Sequence, residues 1–374
     1  MFVSRLACQD FRNLTITLEL GSGYNVFAGR NGQGKTNVLE ALYVTCFGRS
    51  FRPGKLVHLI RHGAGQARVQ ATVDDGDVQT ELSLELTETS KRHGAAGKEN
   101  CGLAEVASTL RMVFFGPDDL ALVKGAPALR REFLDRAIWV HYPPYADLMK
   151  RYVQHMRSRN RLLKEQREQR RKVAPELLAS VEELLCKEGA QVVSYRLKYL
   201  RELVPEAVRL VHDHTAGALA LGVSYLPSIE GPLAEMEQAA IASKFAAALE
   251  LVRLDDYASC STSVGPHVDD MEFTLNARPA RFFGSQGEQR AVAVCFKLAQ
   301  LALWTERFGV KPVLLLDDVS SELDAERTAL LMSTISKWGI QTLLTTTSPP
   351  DVLLGDPEVR VFRVEGGRVQ QHGT

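Results

Sequence analysis

The chain of 374 residues lacks any uninterrupted apolar run near the roughly 18 residues that a membrane helix needs. Its opening residues meet Asp10 and Arg12 too early for the apolar core of a secretory signal. The expected location is therefore cytoplasmic, with no membrane partner. Paired cysteines are missing as well. The six present, Cys8, Cys46, Cys101, Cys186, Cys260 and Cys295, lie far apart and never form a CxxC. That removes metal-ligand spacing and argues against a disulfide framework, leaving buried free thiols as the expectation. Charge of one sign is also lacking, because 45 Lys and Arg balance 45 Asp and Glu. Any polyanionic partner must then be attracted by local patches. No internal repeat is present.

What remains is the composition of a globular protein, 45% apolar and 24% charged, long enough for two ordinary domains. Residues 1–30 read as strands: 14–20 alternate, and 25–28 form a short apolar run. A helix is predicted over 36–47, and alternation returns at 67–73 and 78–86. Residues 90–100, rich in Gly and Lys without periodicity, read as an exposed loop. From about 118 to 256 helical periodicity dominates, notably over 145–172 and 175–202. Strand patterning resumes at 271–275, followed by a helix over 286–308 and strands near 313–316, 341–346 and 360–364. The domain boundaries predicted are 1–116, an inserted helical lobe over 117–256, and 257–374.

Gly29, Arg30, Asn31, Gly32, Gln33, Gly34, Lys35 and Thr36 spell GxxxxGKT between a strand and a helix. Such a loop cradles phosphates because successive backbone N–H groups and a helix N-terminus point at one anion. The glycines give backbone freedom, Lys35 reaches the β- and γ-phosphates, and Thr36 offers a hydroxyl to Mg²⁺. ATP and Mg²⁺ are the implied cofactors. The apolar strand 313–316 runs into Asp317 and Asp318. Asp317 is the expected metal partner of Thr36, and Asp318 the residue that orients or activates water; Lys35, Asp317 and Asp318 are thus the catalytic candidates. The two halves stand some 280 residues apart, so one sheet must be assembled from both chain ends. Ser285, Gln286, Gly287, Glu288 and Gln289 open the helix over 286–308 and offer a second anion-binding helix end. Ser320, Ser321, Glu322, Leu323 and Asp324 form a polar turn after the two acids.

These four motifs in this order resemble the ABC-type ATPase head shared by SMC, Rad50 and RecF proteins. The fold implied is α/β, a P-loop head built from N- and C-terminal segments with an inserted α-helical lobe. The resemblance makes 285–289 the signature motif, acting in trans on the partner subunit's ATP, and Ser321 and Asp324 part of the D-loop. The insert of about 140 residues, without sustained heptads, excludes the long-armed members. Residues 117–135, 317–331, 11–13, 48–52 and 159–164 resemble segments of the RecF family, end to end along the chain. On that resemblance Arg12 and Asn13 join the ATP-site candidates. Val268 stands where RecF proteins commonly have Arg, so no role of that arginine carries over. Thr345, Thr346 and Thr347 occupy the switch position without a His, as in RecF.

Two basic stretches are candidates for phosphate contacts. Residues 41–73 carry Arg49, Arg52, Lys55, Arg61 and Arg68 with no acid. Residues 150–172 carry ten Lys and Arg, among them Arg157, Arg159 and Arg161, against Glu165 and Glu168. On spacing alone the second stretch reads equally well as a solvated helix face. Arg130 and Arg131 are expected either there or tying the lobes together, and His267 beside Asp269 and Asp270 reads as a structural turn rather than a metal site. The resemblance implies a weak, DNA-dependent ATPase that dimerises on ATP, binds double-stranded DNA beside single-strand gaps, and works with RecR and RecO to load RecA. A transporter ATPase subunit and a short-armed structural head are the rival readings.

Overall fold

The computed structural model describes residues 1–168, 174–318, 323, 325–348, 353 and 358–371. Two compact units form, one from residues 1–120 with 300–374, the other from 121–299.

The first unit contains two sheets. The six-stranded sheet runs, in spatial order, Arg368–Gln371, Arg360–Glu365, Tyr24–Ala28, Thr342–Thr346, Val313–Asp317 and Met112–Phe115. All its neighbours are parallel except the first pair. Its strands Val313–Asp317 and Thr342–Thr346 are buried along their whole length because a parallel sheet is covered on both faces. Both chain ends contribute, as the separated motifs require. Buried Gln341 clasps them together: its Oε1 accepts from the Val3 N–H (2.7 Å), while its Nε2 donates to the carbonyls of Val3 (2.8 Å) and Gly21 (2.7 Å). The second sheet is antiparallel, in the order Leu14–Glu19, Phe2–Phe11, Gln66–Asp74, Gln79–Thr87 and Lys91–Ala95. Its alternating burial matches one covered and one open face. The last strand corrects the loop expected over 90–100. His93 and Ala95 are buried and pair with Leu84 and Leu82, so cross-strand packing overrides a composition poor in strand formers.

The second unit is helical, with Pro127–His141, Tyr145–Arg167, Pro175–His214 and Gln238–Leu251 as its longer elements. The helix from Pro175 continues through Pro205, beyond the stretch its periodicity marked. The unit is not purely helical: Leu221–Leu226 pairs antiparallel with Asp270–Leu275. That pairing brings residues 257–299 into this unit and moves its end from the boundary at 256 drawn on sequence. Arg130 reinforces it with a bidentate pair to Asp270 (2.6 and 2.8 Å), and Arg131 donates to the Asp269 carbonyl (2.8 Å). Both arginines therefore tie segments within one unit rather than two lobes. His267 is structural, its ring nitrogens meeting the Tyr152 hydroxyl (2.7 Å) and the Thr262 carbonyl (2.8 Å). No cluster of metal-ligating side chains occurs among the described residues. The six cysteines are free, four of them buried and Cys101 and Cys260 partly exposed.

Candidate nucleotide-binding site

The strand Tyr24–Ala28 ends in the glycine-rich loop, and the helix Lys35–Phe47 begins at its last residues. Gly34 caps that helix at φ 105°, and a Cβ there would stand 2.8 Å from the Asn13 amide. At Gly29 a Cβ would stand 2.4 Å from the Val364 carbonyl oxygen. The loop is thus pressed between the turn at Asn13 and the strand Arg360–Glu365. Gln33 fastens it from outside, its carbonyl accepting from the Gly367 N–H (2.9 Å) and its Oε1 from the Gly366 N–H (2.7 Å). Lys35 is buried and folds back over the loop. Its Nζ donates to the carbonyls of Gly29 (2.6 Å) and Arg30 (3.0 Å) and to Asn31 Oδ1 (3.3 Å). Arg30, Asn31 and Gly32 are exposed.

Asp317 closes the central strand Val313–Asp317 beside this loop. Its Oδ1 accepts from the Thr36 hydroxyl and from the Thr345 hydroxyl, each at 2.8 Å. Burial raises the Asp317 pKa, and the two hydroxyl hydrogen bonds and the charge of Arg52 only partly offset it. A hard-oxygen set of one carboxylate and adjacent hydroxyls suits a small divalent cation. Asp318 follows at φ 51°, with its N–H donating to Thr345 Oγ1 (2.9 Å). Thr345 therefore positions both acids, its hydroxyl donating to Asp317 and accepting from the Asp318 N–H.

Sequence reasoning missed the residue that organises the loop's far side. Glu40 is fully buried on the P-loop helix and binds Arg12 through two hydrogen bonds (2.9 and 2.8 Å), with Arg52 and the Ser50 hydroxyl as further donors. Burial alone would raise its pKa, but hydrogen bonds from Arg12 and Arg52 hold it below the usual carboxylate value. Arg52 also donates to Asn37 Oδ1, and Asn37 donates to Asn13 Oδ1 (2.7 Å). Arg12 and Asn13 are thus placed at the loop through Glu40 and Asn37. Arg52, read as a phosphate contact, is an anchor of this helix. The available signal was Glu40 itself, the acid that precedes the basic stretch 41–73.

The signature residues lie in the other unit. Ser285 and Glu288 form a reciprocal capping box at the helix Gln286–Phe308: Ser285 N–H to Glu288 Oε2 at 2.7 Å, and Glu288 N–H to Ser285 Oγ at 3.2 Å. Ser285 and Gln286 are exposed. Gln289 is buried instead, its Nε2 donating to the carbonyls of Ala280 (2.9 Å) and Gly284 (3.0 Å), so it shapes the loop from within. Just ahead stand Phe282 and Phe283, 76% and 66% exposed. Ser321 and Asp324 lie outside the described residues.

Of the basic candidates, Arg49, Lys55, Arg157 and Arg161 are exposed. Arg159 is not: it has no exposed surface, and it donates to Glu182 (2.9 Å), Asp256 (2.6 Å) and Thr262 (3.0 Å). Its guanidinium is consumed by the core of its own unit, which removes it from the phosphate-binding set.

The RecF/RecN/SMC N-terminal domain model matches residues 2–370. The chain is 37% identical over 344 residues to the DNA replication and repair protein RecF of Myxococcus xanthus, covering 91% of this chain and 90% of that one. The chain belongs to the RecF family. RecF of Pelotomaculum thermopropionicum is 36% identical over 372 residues, covering 99% of this chain and all of its own. The solved structure of the recombination mediator RecF with ATP, from the RecFOR pathway, matches with a TM-score of 0.89 at 30% identity, covering 100% of this chain and 98% of that one. An SMC head domain matches at a TM-score of 0.56 and 14% identity, which shows the shared fold. The architecture is the ABC-type ATPase head of RecF and SMC proteins with a helical insertion. Nothing in these matches supports a transporter subunit, and no helix among the described residues is long and apolar enough to cross a membrane.

Proposed function

We propose that this RecF-family chain is an ATP-dependent dimerising clamp that binds double-stranded DNA beside single-strand gaps and, with RecO and RecR, helps to load RecA. The observation that carries the reading is the convergence of Thr36 and Thr345 on one carboxylate oxygen of Asp317 beside the P-loop. In the proposed site, Lys35 leaves the loop carbonyls for the β- and γ-phosphates, whose charge exceeds that of the carbonyl dipoles it now satisfies. Thr36 and Asp317 would hold Mg²⁺, which with ATP supplies charge neutralisation on the phosphates. Arg12 and Asn13, fixed from behind by Glu40 and Asn37, line the same loop.

Asp318 would orient the attacking water. Its side chain is one carbon shorter than the glutamate of most ABC ATPases, which favours slow hydrolysis. Completion in trans rests on the exposed Ser285 and Gln286. The adjacent Phe282 and Phe283 are large apolar side chains left in solvent, as an interface buried only in the dimer requires. Arg49, Lys55, Arg157 and Arg161 supply the phosphate contacts, and Ser321 and Asp324 the D-loop.

Anisotropy of labelled gapped duplex DNA tests the coupling. ATP raises the affinity of the unaltered protein, and Lys35→Arg removes that rise. An affinity indifferent to both ATP and the substitution sinks the clamp.

A further inference from the structure

The first unit also holds a cavity of about 380 Å³, lined by residues separate from those of the nucleotide loop. Arg111 stands on its wall, immediately before the sheet's outermost strand Met112–Phe115. The guanidinium lies over the rings of Trp304 (4.7 Å) and Phe308 (5.1 Å), and it makes no hydrogen bond or ion pair among the described residues. Burial draws its pKa below the usual arginine value. A half-buried cation with no anion beside it carries an uncompensated desolvation cost, which an incoming anion offsets. The two rings hold the guanidinium flat, so little side-chain entropy remains to be lost on binding.

The rest of the cavity selects the anion. Val73, Val78 and Val310 line it with aliphatic surface, and Val78 (60% exposed) and Val310 (37%) are open to solvent. Ser108 already donates its hydroxyl to the Glu105 carbonyl (2.7 Å), which leaves its oxygen free to accept from an amide N–H. Asp75 also lines the cavity, its carboxylate held in a turn by the N–H groups of Asp77 (3.1 Å) and Val78 (2.9 Å). Met1 also lines the cavity, and its N-terminal ammonium is set against Asp75, so Arg111 leaves one net positive charge, which suits a single negative charge better than a phosphate dianion. A chain end brings a carboxylate and an apolar side chain on the same carbon. An internal acidic residue would need room for two departing arms of chain. We infer that this cavity receives the C-terminal carboxylate and last apolar side chain of a partner polypeptide, the carboxylate on Arg111 and the side chain against the valines.

The test uses the full chain and fluorescein-labelled tetrapeptides ending in Leu, Ile, Val or Phe, each as free acid and as C-terminal amide. At least one free acid binds, and its amide binds about tenfold more weakly or worse. Arg111→Gln reduces binding of the acid by a similar factor, and Val310→Glu, which places a second anion in the cavity, does the same. Both variants retain the ATP affinity of the unaltered protein, which separates loss of the cavity from loss of the fold. Four results overturn the inference: no peptide binding, equal binding of acid and amide, binding indifferent to both substitutions, or displacement of the peptide by millimolar inorganic phosphate or ATP.

Discussion

The Thr36 hydroxyl donates to Asp317 Oδ1 at 2.8 Å across 281 residues of chain, joining the P-loop helix to the strand end that faces it. Thr345 donates to the same oxygen, so the carboxylate is positioned by two neutral groups. Asp317→Asn replaces a carboxylate by an amide of the same shape. Its Mg²⁺-dependent ATP hydrolysis is expected to fall by about 100-fold or more, the loss typical of removing one electrostatic stabiliser. Single-turnover kinetics measure this, and hydrolysis within threefold of the unaltered protein would remove Asp317 from the site.

Glu40 links the fold to the loop. Its folded pKa is depressed relative to the unfolded chain by Arg12 and Arg52, so its contribution is present above the unfolded pKa and is lost as pH falls through the folded one. Glu40→Gln should cost about 2–3 kcal/mol near pH 7, because two guanidinium groups lose a charged acceptor. Urea unfolding at neutral pH and at a pH below the folded pKa checks the sign. The gap between variant and parent narrows in acid; a constant gap would mean that the charge of Glu40 is irrelevant.

Arg159 and its neighbours separate structural from phosphate-binding arginines. Arg159→Ala leaves Asp256 buried without its partner and should destabilise by about 3–5 kcal/mol. Arg157→Ala and Arg161→Ala should leave unfolding midpoints almost unchanged while weakening DNA binding. Each should lower the slope of log affinity against log salt by about 1. Salt titrations in which neither exposed arginine alters the slope would take DNA off this helix.

Phe282 and Phe283 expose most of their rings next to Ser285. The double substitution to Ser should leave ATP binding by the monomer intact and weaken ATP-dependent association by about tenfold or more. Isothermal titration and light scattering read the two effects separately. Unimpaired association places the dimer contact elsewhere.

The P-loop, the strand ending in Asp317 and the assembly of one sheet from both chain ends were legible in the sequence. Each has a local signature, glycines at fixed spacing or a fully apolar strand. The strand Lys91–Ala95 had none, because its stability comes from pairing with Gln79–Thr87 rather than from its own residues. The strand Leu221–Leu226 was hidden in the same way inside a helical stretch, and it carried the boundary of the second unit with it. Arg159 was misread because a run of basic residues shows charges but not partners. Its partner Asp256 lies 97 residues downstream. Glu40 was passed over for a related reason, since the two arginines it collects come from a hairpin turn and a loop that only the fold brings together.

The central claim is that nucleotide binding at Thr36 and Asp317 drives two copies of this chain together. Sedimentation velocity with ATP, with ADP and without nucleotide, each with and without gapped duplex DNA, tests it most directly. The account predicts a monomer without nucleotide and with ADP, a dimer with ATP, and a larger dimer fraction when DNA is added. A monomer under all six conditions, or a dimer whose fraction is indifferent to nucleotide, would contradict it.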